Sequence, residues 1–198
     1  MADAPPAPPI LLASRSPQRR AILEQLGIPF DVAPPRFEED DRPDADPVEL
    51  VREQAHGKAA SVAAEADGRL VLGVDTIVVL AGRIYGKPQD ATEAERMLDE
   101  LSGNTHLVVP GLCLRTPGWQ VVEHETTRVT FRTLTPRDLA AYVATGEWEG
   151  RAGAYAIQGL GASLVRHIDG DYLNVVGLPA ALLVRLLAEH FPGTYGFG

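Results

Sequence analysis

Apolar residues along this chain fall into two patterns. Short unbroken runs of Val, Ile and Leu alternate with longer stretches in which apolar residues return every three or four positions. The first pattern suits buried strands, and the second suits helices packed by one face. The densest run lies within residues 69–89, RLVLGVDTIVVLAGRIYGKPQ. It reads as two short strands, LVLGV and TIVVL, with Asp75 at their junction and Gly-Lys-Pro closing the segment. A bare carboxylate in such a run is costly to desolvate unless a charged group meets it. A metal ion or a lysine meets that need, and Lys87 follows within the same segment. Asp75 is therefore expected to face a cleft where a cation sits.

The same patterns place the other elements. Ile10 to Ala13 is a short strand running into S-R-S-P-Q-R-R. Ser16 is a good N-cap and Pro17 a good first helical residue, with Ala21, Ile22, Leu23 and Leu26 as the apolar face. That turn either offers helix N–H groups and Arg19 to an anionic phosphate or is a capped helix with solvated arginines. Residues 33–47 form a Pro-rich acidic loop. Its Glu38, Glu39, Asp40 and Asp41 are either solvated or supply one oxygen ligand to a divalent cation. Residues 48–66 carry one apolar stripe, Val48, Val51, Ala55, Ala59, Val62 and Ala66, and predict a helix. Lys58 falls on the edge of that stripe, from which a lysine snorkels to water or turns into a cleft.

Asp90 to Glu93 reads as a capping box for a helix with Ala94, Met97, Leu98 and Leu101 inside. His106 is read as a turn or packing residue. The following residues alternate around a T-P-G-W turn and predict a long antiparallel hairpin. Thr135 opens another helix, a glycine-rich stretch follows, and Pro179 to Phe191 predicts the last helix. No repeat or separating linker is present. The expected organisation is a poorly ordered Ala/Asp/Pro lead-in over 1–9, a single domain over 10–192 and a short tail over 193–198.

Composition narrows the function classes. With 198 residues, 45% hydrophobic and 23% charged, the chain is long enough for a sizeable core. A net charge of −9 argues against a nucleic-acid partner. A phosphate-binding site in such a chain needs a local basic cluster or a metal. The single cysteine, Cys113 in GLCL, excludes an internal disulfide or a thiolate metal cluster and reads as core. No run approaches the roughly 20 apolar residues that span a bilayer. The N-terminus lacks the basic and apolar regions of a secretion signal. The expectation is a soluble cytoplasmic protein with no membrane partner. The Walker pattern G-x-x-x-x-G-K-[ST] does not occur.

Four segments carry a wider resemblance: LLASRSPQRRAILEQLGIPF, VLGVDTIVVL, GKPQDATEAERMLDELSG-x-x-H and AGAYAIQGLGASLVRHIDGDYLNVVGLP. In this order and spacing, over roughly residues 10–190, the chain resembles the Maf family of nucleoside triphosphate pyrophosphatases. The resemblance implies an α/β fold, a Maf/ITPase-like mixed twisted sheet flanked by helices, with two lobes around a central cleft. It implies hydrolysis between the α and β phosphates of a nucleoside triphosphate, a divalent cation (Mg²⁺ or Mn²⁺) and a homodimer. By the same resemblance Asp75, Lys58 and Lys87 are catalytic, and Glu39 and Asp75 are metal ligands. Ser14, Gln18, Arg19, Thr76 and Gln158 bind substrate, with Gln18, Thr76 and Gln158 tuning the base.

Those positions make joint chemical sense. Arg19, Lys58 and Lys87 bring positive charge to a polyphosphate, whose transfer chemistry depends on electrostatic clamping. Asp75 and Glu39 offer oxygen ligands, and Asp75 is the family's proton acceptor. Thr76 with Gln158 matches the dTTP/UTP subgroup, since a Gln amide pairs with both the N–H and the C=O of a uracil-type edge. The 7-methyl-GTP subgroup, a broad preference for modified nucleotides and a non-catalytic nucleotide-binding regulator of cell division are the alternatives. Three positions depart from the family pattern. Gln18 replaces the first arginine of S-P-R-R, with Arg20 as a candidate replacement; Arg151 stands for the lysine of K-A-G-A-Y; Pro110 replaces a small polar residue.

Overall fold

The computed structural model describes residues 7–40, 42 and 45–197. Asp41, one of the acidic-loop candidates, and residues 1–6 of the lead-in lie outside the described residues. The elements run β1 (Ile10–Ala13), α1 (Pro17–Gln25), β2 (Phe30–Val32), α2 (Pro47–Ser61), β3 (Val71–Leu80), β4 (Arg83–Tyr85), α3 (Ala91–Leu101) and β5 (Thr105–Thr116). They continue with β6 (Trp119–His124), β7 (Thr127–Phe131), α4 (Pro136–Val143), β8 (Val165–Asp169), α5 (Tyr172–Val176) and α6 (Ala180–His190). No helix among the described residues is long and apolar enough to cross a membrane.

All eight strands form one mixed sheet. Its spine is the antiparallel pair β3 and β5, in register from Val71 opposite Arg115 to Val79 opposite Leu107. Each half of the spine has its own flanking strands. On one half β1 lies parallel to β3 at residues 71–73, β2 lies parallel to β1, and β6 pairs with β5 at residues 111–116. On the other half β4 pairs with β3 at residues 78–80, β7 with β5 at residues 105–108, and β8 with β7. The halves bury separate cores. One joins β1, α1 and α6 through Ile10, Leu12, Ile22, Leu183 and Leu187; Tyr195 and Phe197 pack back onto it. The other joins α3, α4 and β7 through Met97, Leu98, Leu101, Val129, Phe131 and Leu139. This is the mixed, helix-flanked α/β sheet with two lobes.

Three sequence expectations change. The 69–89 run is not a pair of strands meeting at Asp75: β3 is one continuous strand of ten residues with Asp75 inside it. Its ladder with β5 runs unbroken through Asp75 and Gly111, so nothing in the backbone turns there. The residues after the T-P-G-W turn do not make one long hairpin arm either. They form β6 and β7, which take successive portions of the twelve-residue β5. The predicted 48–66 helix ends at Ser61 and continues as a 3-10 turn over Ala63–Glu65.

The two-sided flanking of β3 creates the opening. β1 leaves β3 after Gly73, and β4 joins only at Val78. Between them, residues 74–77 have β5 on one side and no described strand on the other. Asp75 and Thr76 sit in this notch, at the seam between the lobes.

Candidate functional site

The notch opens into a cavity of about 930 Å³, within the size range of small-molecule sites. Every residue that the resemblance assigned to the site lines it: Ser14, Gln18, Arg19, Glu39, Lys58, Asp75, Thr76, Lys87 and Gln158; the acidic-loop candidates Glu38 and Asp40 do not. Its lining holds five cationic side chains (Arg15, Arg19, Lys58, Lys87, Arg151) and four carboxylates (Glu39, Asp75, Glu147, Glu149). A chain of net charge −9 thus keeps a locally cationic cleft.

Helix α2 brings Lys58 to Asp75 because two glycines let it lie directly on the sheet. A Cβ on Gly73 would overlap the Ala55 carbonyl, and one on Gly111 would overlap the Val51 carbonyl. Gly111 is also the residue opposite Asp75 in the β3–β5 ladder. The helix backbone therefore rests on the sheet beside Asp75, and Lys58, one turn along, meets the carboxylate. Lys58 Nζ donates to Asp75 Oδ1 at 2.5 Å and pairs with Glu39 Oε1 at 2.7 Å. Lys58 is 3% exposed and Asp75 4%. The stripe-edge position left two outcomes open for Lys58. Its tip turns inward, because two buried or half-buried carboxylates compensate its desolvation.

The acidic loop is laid along α2. The Arg36 N–H donates to Ser61 Oγ at 3.1 Å, and Gln54 Nε2 donates to the Asp40 carbonyl at 3.2 Å. Between them the Phe37 ring occupies the space where a Cβ on Gly57 would stand. Three consecutive helical turns thus hold the loop, and Glu39 ends up above Lys58. Its second oxygen, Oε2, accepts from Lys87 Nζ at 2.5 Å. Burial alone would push the Glu39 carboxyl up. The charges and hydrogen bonds of Lys58 and Lys87 outweigh it and bring the pKa down to about 2. Lys87, Glu39, Lys58 and Asp75 therefore form one continuous chain of ion pairs.

On the other side of β3, Ser16 caps α1 as expected, its side chain accepting from the Arg19 N–H. Arg19 is fixed by three neutral partners. Nε donates to the Gly177 carbonyl at 2.9 Å, Nη1 to Ser14 Oγ at 3.1 Å and Nη2 to Thr76 Oγ1 at 3.2 Å. A guanidinium has five N–H donors, so two are left over. Burial lowers the Arg19 pKa, opposed by the charges of Asp75 and then Glu39, and the group stays cationic. Ser14 Oγ also accepts from the Ser16 N–H at 3.1 Å. Both its acceptor positions are filled, which leaves its O–H to donate to an anion. Gln18 Oε1 accepts from Ser16 Oγ at 3.1 Å, turning that amide toward the cap.

Arg20 does not stand in for the missing arginine. It is exposed on the outer face of α1 and is absent from the cavity lining, where Arg15 appears instead. The helical rotation of about 100° per residue carries position 20 away from the cleft. Asp171 caps α5 through the Leu173 N–H at 2.8 Å. Asn174 is fully buried and donates to Thr127 Oγ1 at 2.8 Å, so both are structural. His106 is also fully buried, at 3.0 Å from the Tyr155 hydroxyl, and burial lowers its pKa to about 4. It packs, as read, but from within β5 rather than from a turn. Cys113 is core, and burial raises its thiol to about 11.

Three contributions escaped the sequence reading. Phe37 sat unremarked in the acidic loop, the Gly177 carbonyl carries no side-chain signal, and Glu147 contacts residues thirteen and fourteen positions away. Arg15 was visible in the S-R-S-P turn but had no partner to mark it.

Several known proteins are similar to this chain. A dTTP/UTP pyrophosphatase of Gloeobacter violaceus is 52% identical over 181 residues, covering 91% of this chain and 95% of the relative. Those of Nitratidesulfovibrio vulgaris and Moorella thermoacetica are each 50% identical, covering 91% and 90% of this chain and 87% and 93% of the relatives. The solved structure of the Staphylococcus aureus Ham1 protein is similar at 16% identity over 63% of this chain and 72% of that one, with a TM-score of 0.45. The family model described as Maf-like protein matches residues 9–190, from the start of β1 to the end of α6, and with relatives at half identity over 90–91% of its length the chain belongs to the Maf family.

Proposed function

We propose that this chain hydrolyses nucleoside triphosphates between the α and β phosphates, releasing a nucleoside monophosphate and pyrophosphate, with dTTP and UTP preferred. One observation carries the reading: Glu39, Lys58, Asp75 and Lys87, from four separate segments, join in one ion-pair chain in the wall of a nucleotide-sized cavity. The activity named for relatives that share half its residues supports the choice of substrate.

A divalent cation, Mg²⁺ or Mn²⁺, belongs to this proposal. Among the described residues no three His, Cys, Asp or Glu side chains gather as a metal cluster. Mg²⁺ is commonly held by one or two carboxylates, with phosphate and water oxygens filling the rest of its shell. Glu39 and Asp75, drawn to the same ammonium, are such a pair, so the residues fit. They would hold the ion, which when bound supplies Lewis-acid polarisation of water and of the phosphoryl oxygens.

The chain's own residues do the rest. Asp75 takes the proton from the water that attacks the α phosphorus. Lys58, bonded to Asp75 Oδ1, fixes that carboxylate's orientation. Lys87, the two remaining N–H groups of Arg19 and the Ser14 O–H meet the negative charge that grows on the leaving pyrophosphate. Gln158 reads the base edge, and Gln18 and Thr76, which line the same cavity, tune it. The family resemblance extends the proposal to a cytoplasmic homodimer, which light scattering on the purified chain would test by mass.

Product identity is the direct test. With dTTP and Mg²⁺, free phosphate should appear only when an inorganic pyrophosphatase is added. Phosphate released without it would mean cleavage at the γ phosphate and would sink the reading. Across the common nucleotides, dTTP and UTP should lead.

A further inference from the structure

Gln158 stands on an exposed loop, yet a loop that reads a base edge has to hold still. A primary amide presents one donor and one acceptor, and how well they meet a uracil or a cytosine edge depends on the height and angle at which the loop carries them. The structure contains a device that ties this loop down. The Glu147 carboxylate, on the turn after α4, accepts from the Leu160 N–H at 3.0 Å through Oε1 and from the Gly161 N–H at 3.2 Å through Oε2. The Tyr142 hydroxyl takes the Ala156 N–H at 2.9 Å and lies against the same carboxylate. The loop is thus tied on both sides of Gln158, at residue 156 and at residues 160–161, to a single pair of side chains.

The sequence of the loop fits the clamp. A Cβ on Gly159 would overlap both oxygens of Glu147, so the carboxylate occupies the place a side chain would take. Tyr142 is 4% exposed and belongs to the second lobe's core, which anchors the clamp to packed structure. Glu147 itself lines the cavity beside Gln158. Two backbone N–H groups aimed at one carboxylate make charge-assisted bonds, the stronger class of hydrogen bond.

We propose that Glu147 is a positioning residue for base selection: it acts through Gln158 by clamping the 156–161 loop, and contributes to discrimination of uracil-type from cytosine bases without touching the phosphates. The inference rests on the reading of Gln158 given above.

The test compares kcat/KM for dTTP and dCTP in wild type, Glu147→Ala, Gln158→Ala and the double variant. Glu147→Ala should lower the dTTP-to-dCTP ratio about tenfold, the scale on which a lost site contact changes selectivity. The change should lie in KM, with kcat for dTTP kept within about threefold. The double variant should match Gln158→Ala alone, because the two act as one unit. Gly159→Ala, which keeps the carboxylate but evicts it from its seat, should move the ratio the same way. Glu147→Gln, which keeps one acceptor oxygen, should fall between. These two variants carry the test if Glu147→Ala does not fold. An unchanged ratio in the Glu147 and Gly159 variants, beside a collapsed ratio in Gln158→Ala, overturns the clamp and leaves the Gln158 reading standing. So does a uniform loss on both nucleotides. An unchanged ratio in Gln158→Ala overturns both.

Discussion

The two walls of the cleft are built on opposite principles. The wall proposed to meet the phosphates is made of regular elements in close contact. Asp75 is inside a ten-residue strand, Lys58 is on a fifteen-residue helix, and glycines at 73 and 111 let the two backbones touch. The wall proposed to meet the base is a loop whose apex, Gln158, is exposed and which Glu147 and Tyr142 tie down. The comparison teaches where each demand is met. Chemistry at phosphorus needs atoms held within about half an ångström, which packed elements provide. Base choice needs one edge held in place, which a loop tied down at both ends provides outside the packed elements.

Four experiments would break or sharpen that contrast. Asp75→Asn should lower turnover by about a thousandfold, the usual range for a lost general base, while nucleotide binding by calorimetry changes far less. Lys58 keeps Glu39 as a partner, so the variant should still fold. Equal, small effects on turnover and binding would take Asp75 out of the chemistry. Gly111→Ala comes next. It wedges a methyl group between β5 and α2, should destabilise the fold by about 1–3 kcal/mol in urea unfolding, and should lower activity with it. Full stability and activity would show that the close approach of helix to sheet is not what places Lys58.

Acid should reveal the Glu39 ion pairs. The folded-state pKa of Glu39 lies below its ordinary value of 4.5, at about 2. Its contribution is therefore fully present above about pH 4.5 and is lost as pH falls toward 2. Wild type should exceed Glu39→Gln in stability at pH 6, and the gap should close as acid is added. A gap that stays constant to pH 3 would mean the lysines do not hold Glu39 in solution. The smallest effect is expected away from the cleft. Glu53→Gln removes the Arg42 pair, whose side chains are 47% and 62% exposed, and should leave the urea-unfolding midpoint within error of wild type. A larger loss would mean that the loop carrying Glu39 depends on its surface pairs as well as on α2.

Much of the site was legible in the chain because its members sit in short local patterns. A carboxylate amid valines at 75 announced a cation, and the S-P pair announced the cap of α1 beside Arg19. Ile10 to Ala13, the Asp90 cap and the apolar face of α3 follow from the same rules. What could not be read is long-range. The apolar run of β3 looked like two strands because Asp75 interrupts its hydrophobicity, whereas that carboxylate is explained by Lys58 of α2 lying across it. The failure of Arg20 to replace the arginine at position 18 is a matter of helix phase against the sheet.

The order of residues by itself determined the main helices and apolar strands, several of their caps, and that acids and bases on distant segments needed one another. Only the tertiary structure decided how they meet. The notch opens because β1 leaves β3 five residues before β4 joins it. Lys58 turns inward rather than to water because a helix backbone seated on two glycines sets it beside two carboxylates from elsewhere in the chain, Asp75 and Glu39. The reason is physical: burial, and with it the strength of every charge in the cleft, is a property of what packs from elsewhere in the chain, which no local pattern encodes.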